Sequence, residues 1–550
     1  MKRTDFSVDW LFAACAPDTE LLPWNAQFTP VDLPHDWQIR HADDLYRDGT
    51  LFYRKYFFVT DVPGTRRMLW FGGAYMDTTV FVNGTEVGQW KYGYTSFWFD
   101  ITDALHEGQN EVLVRCNLRH PNSRWYSGAG LYRNVELWEA PDLHLMPDGL
   151  YVAAKEGDNG AWTVTVTAEA GSVTAASTGH TLTLHLTDDN GILLGTAAIP
   201  ADAWAALPSP DGWRTGKETA IYKASHTFTL QDPALWDLDA PSFYHITAEL
   251  TGADGVTDTL TTRFGCRTIE ATPDCGLLVN HKRVLIKGVC IHHDFGCLGS
   301  AFEYSAAKRQ LEILKSMGVN SIRTGHTPPA PQFMDLADEM GILMDVESFD
   351  CWRSGKNPYD YGRFFDEWQE KDVAAWIRRD RNHPSLLFWC IGNEIYDTHA
   401  GPEGADTMRM LLAEVAAHDP ARNGIPTLGS NYMPWENTQH CADIIKVAGY
   451  NYGERLYASH HEKHPDWVIY GSETSSIVQS RGIYHFPLSQ SLLSDDDLQC
   501  SSLGNSRTSW GAESWDVCLQ SEQRWPFTLG QYLWTGWDYI GEPTRSEERR

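Results

Sequence analysis

The chain has 550 residues, of which 42% are hydrophobic and 21% charged, and its formal net charge is −29. That length exceeds what one hydrophobic core usually supports, so we expect two to four domains. The negative field excludes nucleic acid and anionic membranes as partners, and no apolar run approaches the roughly 20 residues that a membrane span requires.

The first residues resemble a signal peptide only faintly. Two basic residues precede WLFAACA, but this apolar segment is short, and Asp5 and Asp9 interrupt the approach to it. We therefore interpret it as the first strand of the fold. The 11 cysteines are scattered, odd in number and include no CxxC pair. This usage predicts reduced thiols in a cytoplasmic protein, without a disulfide framework or a zinc site.

Two β-rich regions come next along the chain. Residues 1–140 contain short strand-like segments such as LFYRKYFFV and DTTVFVNGTEVGQW, separated by turn pairs such as Asn-Gly. They predict a sugar-binding-like β-sandwich of the jelly-roll type. Residues 141–266 alternate with period two, as in GAWTVTVTAEA and HTLTLHLTD. This region predicts an immunoglobulin-like β-sandwich.

From 267 to 550 the pattern changes to strands that alternate with helices. RVLIKGVCIHHD, a strand, precedes SAAKRQLEILKSMG, whose apolar residues have helical spacing. Eight such strands predict a TIM barrel as the catalytic domain. The eighth strand, TLGQYLWTGWDY, ends near Tyr539, and only IGEPTRSEERR follows. We therefore expect the barrel to lack its last helix, as a C-terminally truncated domain would.

Two glutamates end predicted barrel strands. Glu394 ends the fourth strand, LLFWCIGNE, and Glu473 ends the seventh, DWVIYGSE. The C-terminal ends of the strands line the active site of a TIM barrel, and these two strands lie across the mouth from each other. Either glutamate alone would more simply be a salt-bridged rim residue. Two carboxylates about 5–5.5 Å apart suit retaining glycoside hydrolysis, and Asn393 can hydrogen-bond a sugar 2-hydroxyl.

The segments IGNE, YGSETSS and WTGWDYIGEPT, together with the domain order, resemble family 2 glycoside hydrolases. GVNSIRTGHTPPAP on the second barrel strand and RWYSGAGLYR in the first domain extend the resemblance over nearly the whole chain. WTGWDYIGEPT and RWYSGAGLYR look closest to the β-galactosidase branch. Each motif alone is weak, and their combination is specific.

The resemblance implies roles for individual residues. Glu394 corresponds to the family's acid/base and Glu473 to its nucleophile, and Asn393 takes the 2-hydroxyl contact. Tyr452, in GYNYGE on the sixth strand, matches a tyrosine that hydrogen-bonds the nucleophile. His326 matches a histidine of the second strand that contacts the sugar.

Further residues are implied around the pocket. Trp534 and Trp537 match the position of an aromatic floor for the sugar ring. Asn122, before SRWYSGAG, matches a loop that reaches the pocket from the first domain, although a turn asparagine is the commoner case. His292 and Asp294 end the first barrel strand, where they shape the rim or, as an alternative, ligate a metal.

The chain departs from the family pattern at two places. The second-strand motif usually reads Ser-His-Asn, where this chain has Gly325, His326 and Thr327. Some members bind magnesium through acid and histidine side chains after the third strand, where this chain reads DVESFDCW, with Trp352 in place of a histidine. A magnesium requirement is therefore doubtful, and we expect no metal and no organic cofactor.

The leading prediction is a retaining exo-β-glycosidase that hydrolyses terminal β-D-galactosides by double displacement. One alternative is a β-glucuronidase of the same family, which typically has an Asn and Lys pair after the eighth strand. WDYIGEPTRSEERR contains no such pair. Another alternative is a carbohydrate-binding fragment with impaired catalysis. The expected partner is a small-molecule or oligosaccharide β-glycoside, with homo-oligomerisation as a further expectation.

Overall fold

The computed structural model describes most of the chain: residues 1–41, 43–60, 64–173, 179–207, 213, 216–253, 255–476, 482–490, 492–493 and 501–540. Two antiparallel β-sandwiches precede a closed parallel barrel, which confirms the predicted fold class. No helix in the described ranges combines the length and the apolar composition that crossing a bilayer needs.

The first sandwich consists of a six-stranded sheet of order β3-β2-β4-β9-β6-β7 and a four-stranded sheet of order β1-β10-β5-β8. Its strands are β1 Lys2–Asp5, β2 Trp10–Cys15, β3 Thr29–Val31, β4 Gly49–Val59, β5 Thr65–Phe71, β6 Thr78–Val82, β7 Thr85–Trp90, β8 Phe97–Asp100, β9 Gly108–Leu118 and β10 Val135–Pro141. WLFAACA therefore contributes the second strand, one later than predicted. The loop between β9 and β10 runs toward the barrel and carries Arg124, which bonds to Asp350.

The second sandwich pairs β11-β12-β16-β15 with β14-β13-β17-β18. Its strands are β11 His144–Glu156, β12 Ala161–Ser172, β13 Thr181–Asp188, β14 Leu193–Pro200, β15 Ala205–Ala206, β16 Ala220–Gln231, β17 Tyr244–Thr251 and β18 Thr257–Phe264. Period-two alternation determines its core. In β13, Leu182, Leu184 and Leu186 are fully buried, and the residues between them are not. Successive strand residues point to opposite faces, so one face of the sheet forms the core.

The barrel closes in the order β22-β23-β24-β25-β26-β27-β28-β31. These strands are β22 Ile286–Ile291, β23 Ser321–Thr324, β24 Leu343–Glu347, β25 Leu386–Asn393, β26 Ile425–Ser430, β27 Val447–Asn451, β28 Val468–Thr474 and β31 Gly530–Leu533. Every residue of β25 is buried, because helices cover the outer face of such a sheet and side chains fill its interior. The eighth strand is shorter than predicted and ends before Trp534.

Helices and short strands complete the barrel domain. The helices are α1 Tyr304–Ser316, α2 Pro331–Met340, α3 Phe365–Asp380, α4 Asp397–Ala400, α5 Glu403–His418, α6 Glu436–Ile445, α7 Tyr457–Lys463 and α8 Trp515–Arg524, and the further strands are β19 Ile269–Thr272, β20 Gly276–Val279, β21 Lys282–Val284, β29 Leu492–Leu493 and β30 Ser506–Arg507. Helix α2 shows why such segments stop where they do. Pro331 occupies its first turn, and Gly341 after its end has a φ of 63°. The expected lack of a helix after the eighth strand concerns residues 541–550, which lie outside the described residues.

Candidate active site

Glu394 and Glu473 are both buried at the C-terminal edge of the barrel. Glu394 directly follows β25 and has a φ of 45°, a left-handed conformation that residues other than glycine seldom adopt. Its backbone N–H donates to the carbonyl oxygen of Gly429 in β26 at 2.8 Å. Glu473 lies in β28, and its carbonyl oxygen accepts from the backbone N–H of Tyr452 at 2.8 Å. Neighbouring strands therefore hold both glutamates at the mouth.

The Glu473 carboxylate is held by two donors. Arg323 Nη1 donates to Oε1 at 2.8 Å, and the Tyr452 hydroxyl donates to Oε2 at 2.8 Å. His326 Nε2 lies 3.6 Å from Oε1. Burial raises the pKa of Glu473, the Arg323 guanidinium opposes that rise, and the charge of Glu394 adds to it.

The Glu394 carboxylate receives donors from two different domains. Asn451 Nδ2, at the end of β27, donates to Oε1 at 3.1 Å. Arg124 Nη1, from the loop of the first sandwich, donates to Oε2 at 3.2 Å. The same guanidinium forms two further bonds, of 3.1 and 2.8 Å, with Asp350. The first sandwich therefore contributes a side chain to the site.

One amide connects the surroundings of the two glutamates. Asn393 Oδ1 accepts from Arg323 Nη2 at 2.9 Å and from Asn451 Nδ2 at 3.1 Å. Arg323 also holds Glu473, and Asn451 also holds Glu394. Both carboxylates therefore border the same small polar cluster. The Asn393 oxygen is occupied by these donors, and its N–H₂ group donates one of its two hydrogens to Asp350 Oδ1 at 3.0 Å, which leaves one N–H for a ligand.

A third acid lies below this cluster. Glu347, the last residue of β24, contacts Arg323 Nη2 through one oxygen and His326 Nδ1 through the other, the latter at 2.6 Å. Burial raises the pKa of Glu347 to about 8, although Arg323 opposes the rise. Burial also lowers the pKa of His326 well below its usual value. Burial therefore favours the neutral form of each of these two groups.

Aromatic rings form one wall of the site. The rings of His326 and Trp534 are stacked, with centroids 5.2 Å apart and planes 5° from parallel. His292 contacts Trp534, Trp125 and Tyr539 at centroid distances of 5.2, 5.2 and 4.2 Å. Such apolar faces suit the C–H face of a sugar ring. This arrangement brings Trp534 and His326, both predicted from the sequence, to one place.

Trp537 and Asn122 occupy more peripheral positions. Trp537 is half-buried and packs against the main hydrophobic core. Asn122 is buried, and its Oδ1 accepts from the Tyr75 hydroxyl at 3.1 Å. It lines a cavity that His326 and Asp350 also line. Asn122 therefore borders the pocket from the first sandwich, while its amide oxygen is bound within that domain.

Asp350 joins several of these residues and was not predicted. It accepts from Lys356 Nζ at 2.7 Å and from Asn393 Nδ2 at 3.0 Å, in addition to Arg124. Burial alone would raise the pKa of Asp350, but Arg124 and Lys356 outweigh it and hold the pKa well below its usual value. Asp350 is therefore a carboxylate at neutral pH, placed where it can accept from sugar hydroxyls.

Sequence reasoning missed the side chains that hold the two glutamates and Asn393. These are Arg124, Arg323, Glu347, Asp350, Lys356 and Asn451. A signal was present for two of them. NSIRTGH and DVES place charged residues inside strands, and a charge within a buried strand requires a partner.

Potential metal ligands lie elsewhere. Within the described residues, three ligand atoms come together at Asp335, Asp338 and His383. The Arg263 guanidinium already binds two of these carboxylates, at 3.3 and 3.1 Å, so the group joins the second sandwich to the barrel as an ion-pair network. Asp294 at the rim accepts from the backbone N–H of Gly296 at 3.0 Å. The prediction that the chain requires neither a metal such as magnesium nor an organic cofactor stays untested.

Family models match two parts of the chain. Residues 148–267 match the model "Glycosyl hydrolases family 2", and residues 271–461 match "Glycosyl hydrolases family 2, TIM barrel domain". Together these matches cover more than half of the chain. They correspond to the second sandwich and to much of the barrel.

Relatives of known name match over almost the whole chain. "Beta-galactosidase BoGH2A" of Bacteroides ovatus is 33% identical over 99% of this chain and 68% of its own length. "Beta-glucuronidase" of Bacteroides fragilis is 26% identical over 96% of this chain and 76% of its own length. A solved structure of a glycosyl hydrolase family 2 member from Bacteroides cellulosilyticus superposes with a TM-score of 0.82 at 28% identity, covering 98% of this chain and 66% of that one. The chain thus spans about two thirds of the first and third of these relatives.

Proposed function

The chain belongs to glycosyl hydrolase family 2, and from that premise we propose that it is a retaining exo-β-galactosidase. The observation that carries the proposal is the amide of Asn393. It joins Arg323, which holds Glu473, to Asn451, which holds Glu394. Two carboxylates that border one cluster can act on a single anomeric carbon, as double displacement requires.

The contacts of each carboxylate support the division of roles. Glu473 accepts from Arg323 and Tyr452, and donors of this kind favour the ionised form that attacks the anomeric carbon. Arg124 forms one hydrogen bond of 3.2 Å with Glu394 and two hydrogen bonds with Asp350, so its interaction with Glu394 is the weaker of the two. A leaving-group oxygen that enters beside Glu394 replaces this single contact, while Asp350 keeps Arg124 in place.

The reaction then proceeds in two steps. Glu473 forms a bond to the anomeric carbon while the bond to the leaving oxygen breaks, and that oxygen takes the proton of Glu394. In the second step, water gives a proton to Glu394 and its oxygen attacks the anomeric carbon, which releases Glu473. Two inversions at one carbon give net retention, so the first product is the β-anomer.

The outer part of the site favours a neutral sugar over a uronic acid. The cationic side chains of Arg124 and Lys356 both bind Asp350. A uronate carboxylate would have to compete with Asp350 for these cations. A galactoside presents hydroxyl groups, for which the Asp350 carboxylate is an acceptor. The β-glucuronidase alternative predicts the opposite preference.

Nitrophenyl β-D-galactoside, β-D-glucuronide and β-D-glucoside assayed in parallel test the proposal. We expect the galactoside to give the highest kcat/KM, and Glu473→Gln to lower kcat by about 10⁴-fold or more, as loss of a nucleophile does. A folded parent chain that hydrolyses none of the three supports a carbohydrate-binding protein instead. A higher kcat/KM for the glucuronide contradicts the galactosidase proposal. The cytoplasmic location and a homo-oligomeric state stay predictions.

A further inference from the structure

A groove of about 400 Å³ lies between the second sandwich and the barrel. Its barrel wall includes Pro384, shortly before β25, and Ile425, the first residue of β26. These positions are at the N-terminal ends of the strands, whereas the glutamates are at the C-terminal ends. We call this cleft the basal groove, and it is separate from the proposed catalytic site.

Four cationic side chains line the basal groove: Lys155, Arg267, Arg381 and Arg422. Within the part of the chain that the structure describes, none of the four forms an ion pair with a carboxylate. Arg381 donates to the backbone carbonyl oxygens of His418, at 2.6 Å, and Asp148, at 2.9 Å. Arg267 likewise donates to backbone carbonyl oxygens, among them that of Asn423 at 3.0 Å. In a chain of net charge −29, this local excess of positive charge is unusual.

Two buried guanidinium atoms in the groove lack an acceptor. Arg267 Nη1 and Arg381 Nε have no hydrogen-bond partner among the residues that the structure describes. Burial lowers the pKa of each guanidinium to about 9, and more distant carboxylates oppose this only in part. Buried donors without an acceptor are uncommon in folded proteins, because water no longer solvates them. No carboxylate is bonded to either guanidinium among the described residues, so both groups add positive charge to the wall of the groove.

The acids of the groove are already engaged. Glu156 bonds to His281 Nε2 at 2.5 Å, and Glu270 lies 3.6 Å from Nδ1 of the same ring. Both acids contact His281 and form no ion pair with Lys155 or Arg422, which are both exposed, and the four cations of the groove outnumber its two acids. More than one cation facing one cleft favours a ligand with more than one negative charge. Guanidinium groups match the geometry of phosphate oxygens in particular.

We propose that the basal groove binds a small phosphate-bearing ligand, with Lys155, Arg267, Arg381 and Arg422 supplying the positive charge. The phosphate group is the shared chemistry, and it is either free inorganic phosphate or the ester group of a phosphorylated sugar. This site is independent of the proposed galactosidase activity, because its residues lie at the other end of the barrel.

Isothermal titration calorimetry of the full chain with inorganic phosphate and with galactose 6-phosphate, at constant ionic strength in chloride, tests this site. We expect saturable binding of one ligand per chain. Lys155→Gln combined with Arg422→Gln should weaken it about tenfold, since each exposed ionic contact contributes modestly. Both side chains are exposed, so the double variant should fold, which circular dichroism checks. Lys308→Gln is the matched control, because it removes an exposed cation on α1.

The two titrants distinguish the sources of the phosphate group. Equal affinities assign the groove to free phosphate, and tighter binding of galactose 6-phosphate assigns it to a phosphorylated sugar. Absence of saturable heat with both titrants overturns the proposal. Equal weakening by Lys308→Gln also overturns it, because the effect then comes from overall charge. Neither result depends on glycoside hydrolysis, so failure of this site is distinguishable from failure of the proposed function.

Discussion

The core of the second sandwich and the mouth of the barrel are both buried, yet opposite kinds of side chain fill them. Leu182, Leu184 and Leu186 fill the sandwich core, whereas Arg323 and Glu347 are equally inaccessible at the mouth. Burying apolar side chains stabilises the fold directly. Burying charges costs free energy unless partners compensate each of them. The comparison indicates that the apolar sandwich core stabilises the fold, while the buried charged side chains at the mouth cost free energy and are there for catalysis.

Among changes at the barrel mouth, replacing Arg323 should lower the free energy of unfolding most. Arg323→Met leaves the Glu473 carboxylate buried without its cation and Glu347 without a hydrogen-bond donor, and loss of one partner from a buried ion pair typically costs about 3–5 kcal/mol. We expect this loss of unfolding free energy in urea titrations, together with loss of glycosidase activity. Arg323→Lys is the control, and it should recover part of the stability because it restores the charge. Unchanged stability of Arg323→Met would show that the mouth does not depend on this cation.

The matching change in the sandwich is Leu184→Ala. It creates a cavity in a fully buried apolar core, and such changes cost about 2–5 kcal/mol. We expect a lower free energy of unfolding with kcat unchanged for the folded fraction, measured below the unfolding transition. A large fall in kcat would mean that packing in the sandwich core affects the chemistry at the barrel mouth, so the two regions would not have separate roles.

Tyr452→Phe tests a single hydrogen bond at the barrel mouth. It removes the hydroxyl that donates to Glu473 at 2.8 Å, and a hydrogen bond to a charged group contributes about 1.5–3 kcal/mol. We expect kcat to fall roughly 10-fold to 100-fold. Tyr470→Phe is the matched control. Its hydroxyl, also in the barrel, bonds to Thr427 at 3.0 Å, so its loss should affect stability and leave kcat nearly unchanged.

The last expected effect concerns pH. The pKa of Glu347 is raised in the folded state, to about 8, mainly by burial. A raised pKa contributes stability below the unfolded pKa of about 4.3, and this contribution is lost as pH rises through the folded value. The free energy of unfolding of the parent should therefore decline between about pH 5 and 8, and Glu347→Gln should reduce that slope. Equal slopes in urea titrations would mean that Glu347 is ionised in the folded chain.

The sandwich and the barrel could be predicted because their information is local. HTLTLHLTD alternates, and β13 buries every second residue of it. The repeated strand and helix periods likewise predicted a closed barrel of eight strands. Glu394 and Glu473 could be found from the same information, since a rule connects strand ends to the mouth of a barrel.

The rest of the site depends on contacts that no local pattern encodes. Arg124 and Glu394 are 270 residues apart, and no spacing rule pairs them. Arg323 lies in β23, where every residue is buried. Because such a strand shows no alternation of polar and apolar residues, its sequence does not tell whether the Arg323 side chain faces the barrel interior. Trp534 and Trp537 could not be told apart by sequence, because both follow the eighth strand and the path of that loop decides which one stacks on His326.

The most direct test of the account is to trap the covalent intermediate and identify the modified residue. A 2-deoxy-2-fluoro-β-galactoside with a dinitrophenyl leaving group should add one fluorogalactosyl group to the chain. The electronegative fluorine of this substrate destabilises the oxocarbenium-like transition states and so slows both steps. The good leaving group speeds the first step again, so the covalent intermediate accumulates. Mass spectrometry of peptides should place the sugar on Glu473. A label on Glu394, or no label on a chain that turns over the parent galactoside, would contradict the assignment of Glu473 as the nucleophile.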